Sequence, residues 1–364
     1  MNKKEIGEIK KLYTKDNSIR TLAGCYVNAE GEIISTFKKT FLNIEETEIF
    51  KYLELFKKGL SGNIGKNLQT FELEDAKSKQ SLIALRDSEL KNEEMLTSFY
   101  KSIIEQYPNC ENYAILLINN TYDVVARTDD GFKNIDGSDG VYNYIHVFIC
   151  PVKLEKPGLI FSKDNNSFVQ KETRWELQMP TCSILYPSFE ERQEDSNYIT
   201  CYTKDTAGTY NQMLSSVFSI NFHLSPDEQM EEFHSIMESV LEKSEEKIEV
   251  ITKIQEVVKE KIAETEGTKN VVLSCEEIGN MLQNNGIPEE SIRDFKENYA
   301  NVFGTENIPA ENLFSSKNIE VKTPDIIIKA KADKKIQSKI IDGKKCLVIA
   351  IEQNENIEVN GINL

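Results

Sequence analysis

Residues 113–118, Tyr-Ala-Ile-Leu-Leu-Ile, form a continuous apolar run that ends at Asn119-Asn120. A strand with one solvated face alternates apolar and polar residues, whereas a strand covered on both faces is apolar throughout. The run therefore predicts a central β-strand that is buried on both faces.

Shorter strand and helix patterns surround this run. A turn-forming cluster at 28–31 predicts a hairpin between residues 22–27 and 32–37. Apolar residues at helical spacing predict helices over 45–60, 79–86 and 92–107. Further strands are predicted over 67–73, 123–127, 144–152, 181–187 and 197–203. We expect a mixed α/β domain over residues 1–220, built on an N-terminal mixed sheet with flanking helices.

The remaining chain changes character twice. Residues 221–312 read as a helical segment, in which Ser225-Pro226 and Ser274 provide helix-start signals. Residues 313–364 alternate apolar and polar positions, and Asp342-Gly343 is a two-residue hairpin turn. We expect a small C-terminal antiparallel β-meander there, and an α+β fold class for the whole chain.

Composition limits the classes of partner. The chain has 364 residues, a formal net charge of −17 and seven cysteines. Such acidity disfavours attraction to nucleic acid or anionic lipid, and no apolar run approaches the roughly 20 residues of a membrane helix. An odd number of scattered cysteines is typical of reduced thiols, which predicts a cytoplasmic protein without membrane contact.

One region departs from the acidic balance. Seven lysines cluster near the C-terminal end of the chain: Lys329, Lys331, Lys334, Lys335, Lys339, Lys344 and Lys345. Lysines on alternating strands are typical of a solvated, edge-protecting face. The alternative is a local contact with RNA or the ribosome.

The stretch 59–67, Gly-Leu-Ser-Gly-Asn-Ile-Gly-Lys-Asn, resembles a phosphate-binding loop only superficially. The nucleotide-binding pattern requires glycine where Leu60 stands and a hydroxyl where Asn67 stands, and it follows a strand rather than a helix. Turn chemistry explains the stretch better. A weaker hypothesis remains, in which Gly62, Gly65, Lys66 and Asn67 hold an anion.

Residues 128–140 place four aspartates between two predicted strands: Asp129, Asp130, Asp136 and Asp139. Acidic, glycine-rich loops bind divalent metals through oxygen ligands, but the calcium-loop spacing fails here. A solvated loop is the simpler interpretation. A metal site formed by the four aspartates is the alternative.

No other chemical motif is present. The three histidines and the cysteines match no zinc spacing, and neither a serine nucleophile elbow nor a dinucleotide fingerprint occurs. The sequence therefore predicts no cofactor and no catalytic residue.

Several stretches together resemble a known bacterial family. They are "NKKEIGEIKKLY", "GCYVNAEGEI", "FKKGLSGNIGKN", "LRDSELKNEEML", "NYAILLINNTYDV", "ICPVKLEKPGL", "VKTPDIIIKAKA" and "IDGKKCLVI". In this order they are similar to the family catalogued as domain of unknown function 4317, from residue 2 to about 361. The resemblance implies a bacterial cytosolic protein and carries over no catalytic or binding residue.

Three functional hypotheses follow. The first is a non-catalytic binding or regulatory protein, because chemical motifs are absent while several amphipathic helices could dock a protein partner. The second is a hydrolase that acts through the carboxylates near 129–139 with a metal ion. The third is an RNA- or ribosome-associated factor that uses the C-terminal lysines. The oligomeric state does not follow from the sequence.

Overall fold

The computed structural model describes residues 1–127, 133–222, 224–242, 244, 247–265, 271–304, 307–314, 318–323, 325–331, 336–349, 358–359 and 362–363, a few of them, such as 133–137, by their backbone alone. The chain forms two compact units, residues 1–226 and 227–364. Within the described ranges, no helix is both long and apolar enough to cross a membrane.

The first unit is built on one large sheet. Its strands are β1 (Ile19–Val27), β2 (Ile33–Thr40), β3 (Leu68–Glu72), β4 (Tyr113–Arg127), β5 (Lys133–Leu154), β8 (Trp175–Leu177), β9 (Cys182–Tyr186) and β12 (Tyr198–Thr203). They are arranged in the order β2-β1-β4-β5-β9-β12-β3, and β8 pairs with the end of β5. Every pair of neighbours is antiparallel. Two small hairpins, β6 (Leu159–Ser162) with β7 (Ser167–Gln170) and β10 (Ser188–Glu190) with β11 (Gln193–Asp195), lie outside this sheet.

Helices cover both faces of the sheet. They are α1 (Lys3–Leu12), a short 3-10 turn (Phe41–Asn43), α2 (Glu46–Lys58), α3 (Ala76–Asp87), α4 (Glu93–Gln106) and α5 (Asn211–Phe218). Apolar residues of α3, α4 and α5 form one core with Ile115 and Leu117 of β4. Residues of α1 and α2 form a second core with Leu116 and Ile118. The prediction of a central strand buried on both faces is confirmed.

Strand β4 also shows why both cores are needed. Successive side chains of a strand point to opposite faces, so an unbroken apolar run supplies two layers at once. Burying this apolar area contributes roughly 25 cal/mol per Å² to the stability of the fold, and it is the main stabilising term. The segment predicted separately over 123–127 is a continuation of β4, and the strand predicted over 144–152 is the second half of the longer β5.

The second unit combines helices with short hairpins. Its helices are α6 (Pro226–Val240), α7 (Lys247–Glu264), α8 (Cys275–Asn284), α9 (Glu289–Phe303) and α10 (Ala310–Leu313). Its strands pair as β13 (Val272–Leu273) with β14 (Ile308–Pro309), β15 (Asn318–Lys322) with β16 (Ile327–Lys331), β17 (Ile336–Ile341) with β18 (Lys344–Ile349), and β19 (Glu358–Val359) with β20 (Ile362–Asn363). All four pairs are antiparallel.

The predicted α+β class is confirmed, with the large sheet first, helices in the middle and small antiparallel hairpins at the C-terminal end. Helix α8 begins with the predicted capping box, in which Ser274 and Glu277 bond to each other's backbone amides. Asp342-Gly343 forms the predicted turn between β17 and β18. The further division of the chain into 1–220, 221–312 and 313–364 stays a prediction.

Candidate functional site

The glycine-rich stretch 59–67 forms a tight turn between α2 and β3. The amides of Gly65 and Asn67 donate to the carbonyls of Leu68 and Asn63, at 2.7 and 2.8 Å. Gly62 has a φ of +105°, and a Cβ there would lie 2.5 Å from that of Asn67. The Asn67 side chain donates to the carbonyl of Thr203 at 3.0 Å and so ties the turn to β12. These bonds explain the residue types through folding, and the anion site at Gly62, Gly65, Lys66 and Asn67 stays a prediction.

The acidic segment is only partly described. Asp129 and Asp130 lie outside the described residues, and the side chain of Asp136 does too. Asp139 is described, and its carboxylate accepts a hydrogen bond from Arg192 at 2.8 Å. Among the described residues, no group of three His, Cys, Asp or Glu side chains could hold a metal ion. The four-aspartate metal site therefore stays a prediction, in which Asp139 already has a cationic partner.

A buried polar chain crosses the core between α1 and the sheet. The Tyr13 hydroxyl lies 2.7 Å from Nδ1 of His146, and Nε2 of His146 lies 3.2 Å from the Ser183 hydroxyl. Ser183 in turn donates to the carbonyl of Gly59 at 2.6 Å. Because the Ser183 hydroxyl donates its hydrogen bond to the Gly59 carbonyl, its oxygen accepts a hydrogen bond from Nε2–H of His146. Nδ1 of His146 therefore carries no proton and accepts a hydrogen bond from the Tyr13 hydroxyl.

The direction of these bonds decides what His146 can do. A serine nucleophile donates its proton to histidine, whereas here the histidine donates to the serine. Burial is the cause that lowers the pKa of His146, to about 3, so the ring is neutral at physiological pH. His146 and Ser183 are both buried. The chain of bonds therefore holds α1, the sheet and the turn after α2 together rather than forming an exposed catalytic pair.

The C-terminal lysines are dispersed over hairpins of the second unit. Lys329 lies 3.4 Å from the Glu320 carboxylate, which also pairs with Lys322 at 2.9 Å. Lys339 and Lys344 are exposed on the β17–β18 hairpin, whereas Lys334 and Lys335 lie outside the described residues. Contact with RNA through these lysines stays a prediction.

The second unit also contains an open groove of about 790 Å³. Its walls come from α6, α7, the end of α10 and the β15–β16 hairpin, and they include Met230, Phe233, Met237 and Phe314. Charged side chains such as Glu238 and Lys247 lie among these apolar ones. The mixture is suited to an amphipathic ligand.

A two-stranded extension of the first unit, residues 154–175, exposes several large apolar side chains, and we call it the apolar arm. It leaves the sheet where Leu154 pairs with Trp175. The two strands keep the same register outward, through the bond from Glu155 N to Arg174 O at 2.9 Å and from Lys171 N to Gly158 O at 2.8 Å. They end in the β6–β7 hairpin, where Phe161 pairs with Phe168. At about 3.3 Å per residue the arm is about 30 Å long.

Both faces of the apolar arm carry exposed apolar side chains. Leu159, Phe161 and Phe168 share one face and are 72%, 53% and 70% exposed. Ile160 lies on the other face and is 48% exposed, and Trp175 near the base is also exposed. Strands β6 and β7 pair only with each other among the described strands. A two-stranded ribbon alone is marginally stable in water.

The apolar arm was absent from the sequence-based prediction. The sequence does contain a signal for its hairpin. Two short apolar segments, 159–161 and 168–169, flank Asp164-Asn165-Asn166, and these three residues favour a turn. Nothing in that pattern shows that the strands leave the sheet, because exposure depends on what the rest of the chain packs against them.

Fold and surfaces thus define a two-unit α+β protein that exposes apolar side chains. The chain matches the family model described as "Domain of unknown function (DUF4317)" over residues 1–362, and it belongs to this family. The resemblance found in the sequence is confirmed. No curated protein and no solved structure matches the chain.

Proposed function

We propose that this chain is a non-catalytic binding protein of the bacterial cytosol, and that the apolar arm is its docking element for a protein partner. The observation that carries the proposal is the exposure of Leu159, Phe161 and Phe168 on one face of the arm. Aromatic side chains dominate the energetics of protein interfaces when they enter a partner's pockets.

The geometry of the apolar arm also limits the shape of the partner. Since Ile160 is exposed on the face opposite Phe161, a flat surface would cover only half of the apolar area. A cleft that encloses both faces would cover all of it and would stabilise the two-stranded ribbon. We therefore expect the partner to present an apolar cleft about two strands wide.

Charge does not oppose such a contact. Residues 154–175 contain four Lys and Arg and three Asp and Glu, in a chain whose net charge is −17. The arm is therefore nearly neutral and can approach an acidic or a basic partner. All seven cysteines are free thiols, which supports a reducing compartment.

A site-specific crosslink tests the proposal. A photoreactive phenylalanine analogue is placed at Phe168 in living cells, and the matched control carries it at Phe50, which is 44% exposed on α2. We expect one discrete protein adduct from position 168 that is missing from position 50. The same diffuse background at both positions would refute the docking role.

Self-association is measured separately. The purified chain is compared with the double variant Phe161→Asp and Phe168→Asp by sedimentation velocity. A dimer that the double variant abolishes would identify a second copy of the chain as the partner. A monomer in both cases would leave a different protein as the occupant.

A further inference from the structure

A second cavity, of about 480 Å³, lies in the first unit beside helix α1. One wall is the exposed side of α1, with Lys3, Lys4 and Lys11. The opposite wall is formed by Tyr122 of β4 and by Arg192 from the turn between β10 and β11. Its volume lies in the range of small-molecule sites, which is roughly 300–1,000 Å³.

The charge of this cavity is opposite to that of the chain. The ammonium groups of Lys3, Lys4 and Lys11 form no hydrogen bond or ion pair with any residue that the structure describes. The carboxylate that lines the same cavity, Glu8, accepts from Arg192 at 3.1 Å and from the Tyr122 hydroxyl at 2.6 Å. Glu8 shares the single charge of Arg192 with Asp139, so among the described residues these three groups and the three ammonium groups carry four positive charges and two negative ones.

The opposite wall is held by several hydrogen bonds of Arg192. Arg192 donates to the carbonyl of Val125 at 2.7 Å and to Asp139 at 2.8 Å, in addition to Glu8. It stands at a φ of +62°, which a residue with a side chain rarely adopts. These bonds fix the guanidinium as a support of the cavity, so that the lysines are the groups left to contact a ligand.

The cavity has room beside α1 because residue 7 is a glycine without a side chain. Gly7 lies between Lys3 and Lys11 on the same ridge of α1, one helical turn from each. A Cβ at Gly7 would meet no atom within 4 Å, so packing does not require glycine there. Glycine inside a helix costs about 0.5–1 kcal/mol relative to alanine. A larger side chain at this position would project into the cavity.

We propose that this cavity binds a small molecule that carries a phosphate or diphosphate group, held by Lys3, Lys4 and Lys11. The excess of two positive charges matches the two to three negative charges of such a group, whereas a single carboxylate would neutralise only one. Lysine is a common phosphate partner that acts as a point charge. The ring of Tyr122 and the side chain of Leu12 offer an apolar wall for the rest of the ligand. The backbone amides of Lys4 and Glu5 are already capped by Asn2, so the attraction comes from side chains.

The proposal is tested by isothermal titration of the full chain with pyrophosphate and with a nucleoside diphosphate, at low salt. We expect saturable binding of both at one site, which weakens as salt is added. Succinate, a dicarboxylate, serves as the control anion and is expected to bind at least about tenfold more weakly. No saturable binding of either phosphate compound would overturn the proposal.

Two kinds of variant locate the site. The triple variant Lys3→Gln, Lys4→Gln and Lys11→Gln removes the positive charge and is expected to weaken pyrophosphate binding more than about tenfold. Its matched control changes three exposed lysines elsewhere in the first unit, Lys77→Gln, Lys101→Gln and Lys163→Gln, with the same change in net charge. Equal weakening by both triple variants would refute a specific site.

The second kind of variant leaves every charge in place. Gly7→Leu places a bulky side chain among the three lysines and is expected to weaken binding more than about tenfold, while the shorter Gly7→Ala changes it by less than about threefold. Undiminished binding in Gly7→Leu would contradict the proposal. Association with vesicles of phosphatidylglycerol, in the absence of any binding of soluble phosphates, would also overturn it, because a lipid surface rather than a small molecule would then be the ligand.

Discussion

Two apolar strand segments of the first unit have opposite fates. Residues 113–118 of β4 are buried, with helices packed on both faces. Residues 159–161 of β6 are as apolar, yet each is at least about half exposed. The chain supplies two layers of helices to cover the first segment, and the described residues supply no cover for the second. An apolar strand is therefore expected to be buried against something. For the apolar arm, we expect that partner to be another molecule.

The largest expected effect on stability comes from substituting one leucine in each segment by alanine. Leu117→Ala removes a side chain that is 0% exposed and is expected to lower the free energy of unfolding by about 2–5 kcal/mol. Leu159→Ala is expected to change it by less than about 0.5 kcal/mol. Urea unfolding followed by circular dichroism measures both. Losses of equal size would show that the arm is part of the folded core.

A smaller effect on stability is expected from the buried polar chain of Tyr13, His146 and Ser183. Ser183→Ala leaves the Gly59 carbonyl and Nε2–H of His146 buried without their partner, and should lower the free energy of unfolding by about 1–3 kcal/mol. The matched control in the apolar arm is Ser162→Ala, which is expected to be nearly neutral. A neutral result for Ser183→Ala as well would show that the chain of bonds does not stabilise the fold.

The same histidine predicts a pH dependence. Burial lowers the pKa of His146 from 6.5 to about 3, so below pH 6.5 the unfolded chain takes up a proton that the folded chain excludes. This contribution to stability is complete above pH 6.5 and is lost as the pH falls, by up to about 1.4 kcal/mol per pH unit.

Urea unfolding at about pH 7, 6 and 5 checks this expectation. The variant His146→Gln lacks the titrating group, and its free energy of unfolding should therefore fall less steeply over this range than that of the unchanged chain. Parallel profiles would mean that His146 is already accessible to protons in the folded state.

The smallest effect on stability is expected at the tip of the apolar arm. Phe161→Asp with Phe168→Asp should change the free energy of unfolding by less than about 0.5 kcal/mol, because these rings contact mainly each other and water. Phe50→Asp on α2 is the matched control. Destabilisation by more than about 2 kcal/mol would assign the rings a role in folding instead of contact.

Local patterns explain how much of this could be predicted. The apolar run 113–118, the capping box at Ser274 and the turn at Asp342-Gly343 each act within a few residues, and the structure contains all three. The polar chain from Tyr13 to Ser183 joins residues far apart in sequence, and no spacing rule reveals it. The cavity beside α1 likewise depends on how β4 and the β10–β11 turn face the helix. The exposure of the apolar arm depends on the absence of a covering layer, which a strand's own residues do not encode.

Amide hydrogen exchange tests the central claim most directly. It is measured on the purified chain and on the chain bound to the partner captured at Phe168, with the amides of β4 as the internal reference. The account predicts that amides of β6 and β7 exchange rapidly in the free chain, become protected in the complex, and that those of β4 stay equally protected in both. Unchanged exchange in β6 and β7, with new protection elsewhere on the chain, would contradict the assignment of the apolar arm as the docking element.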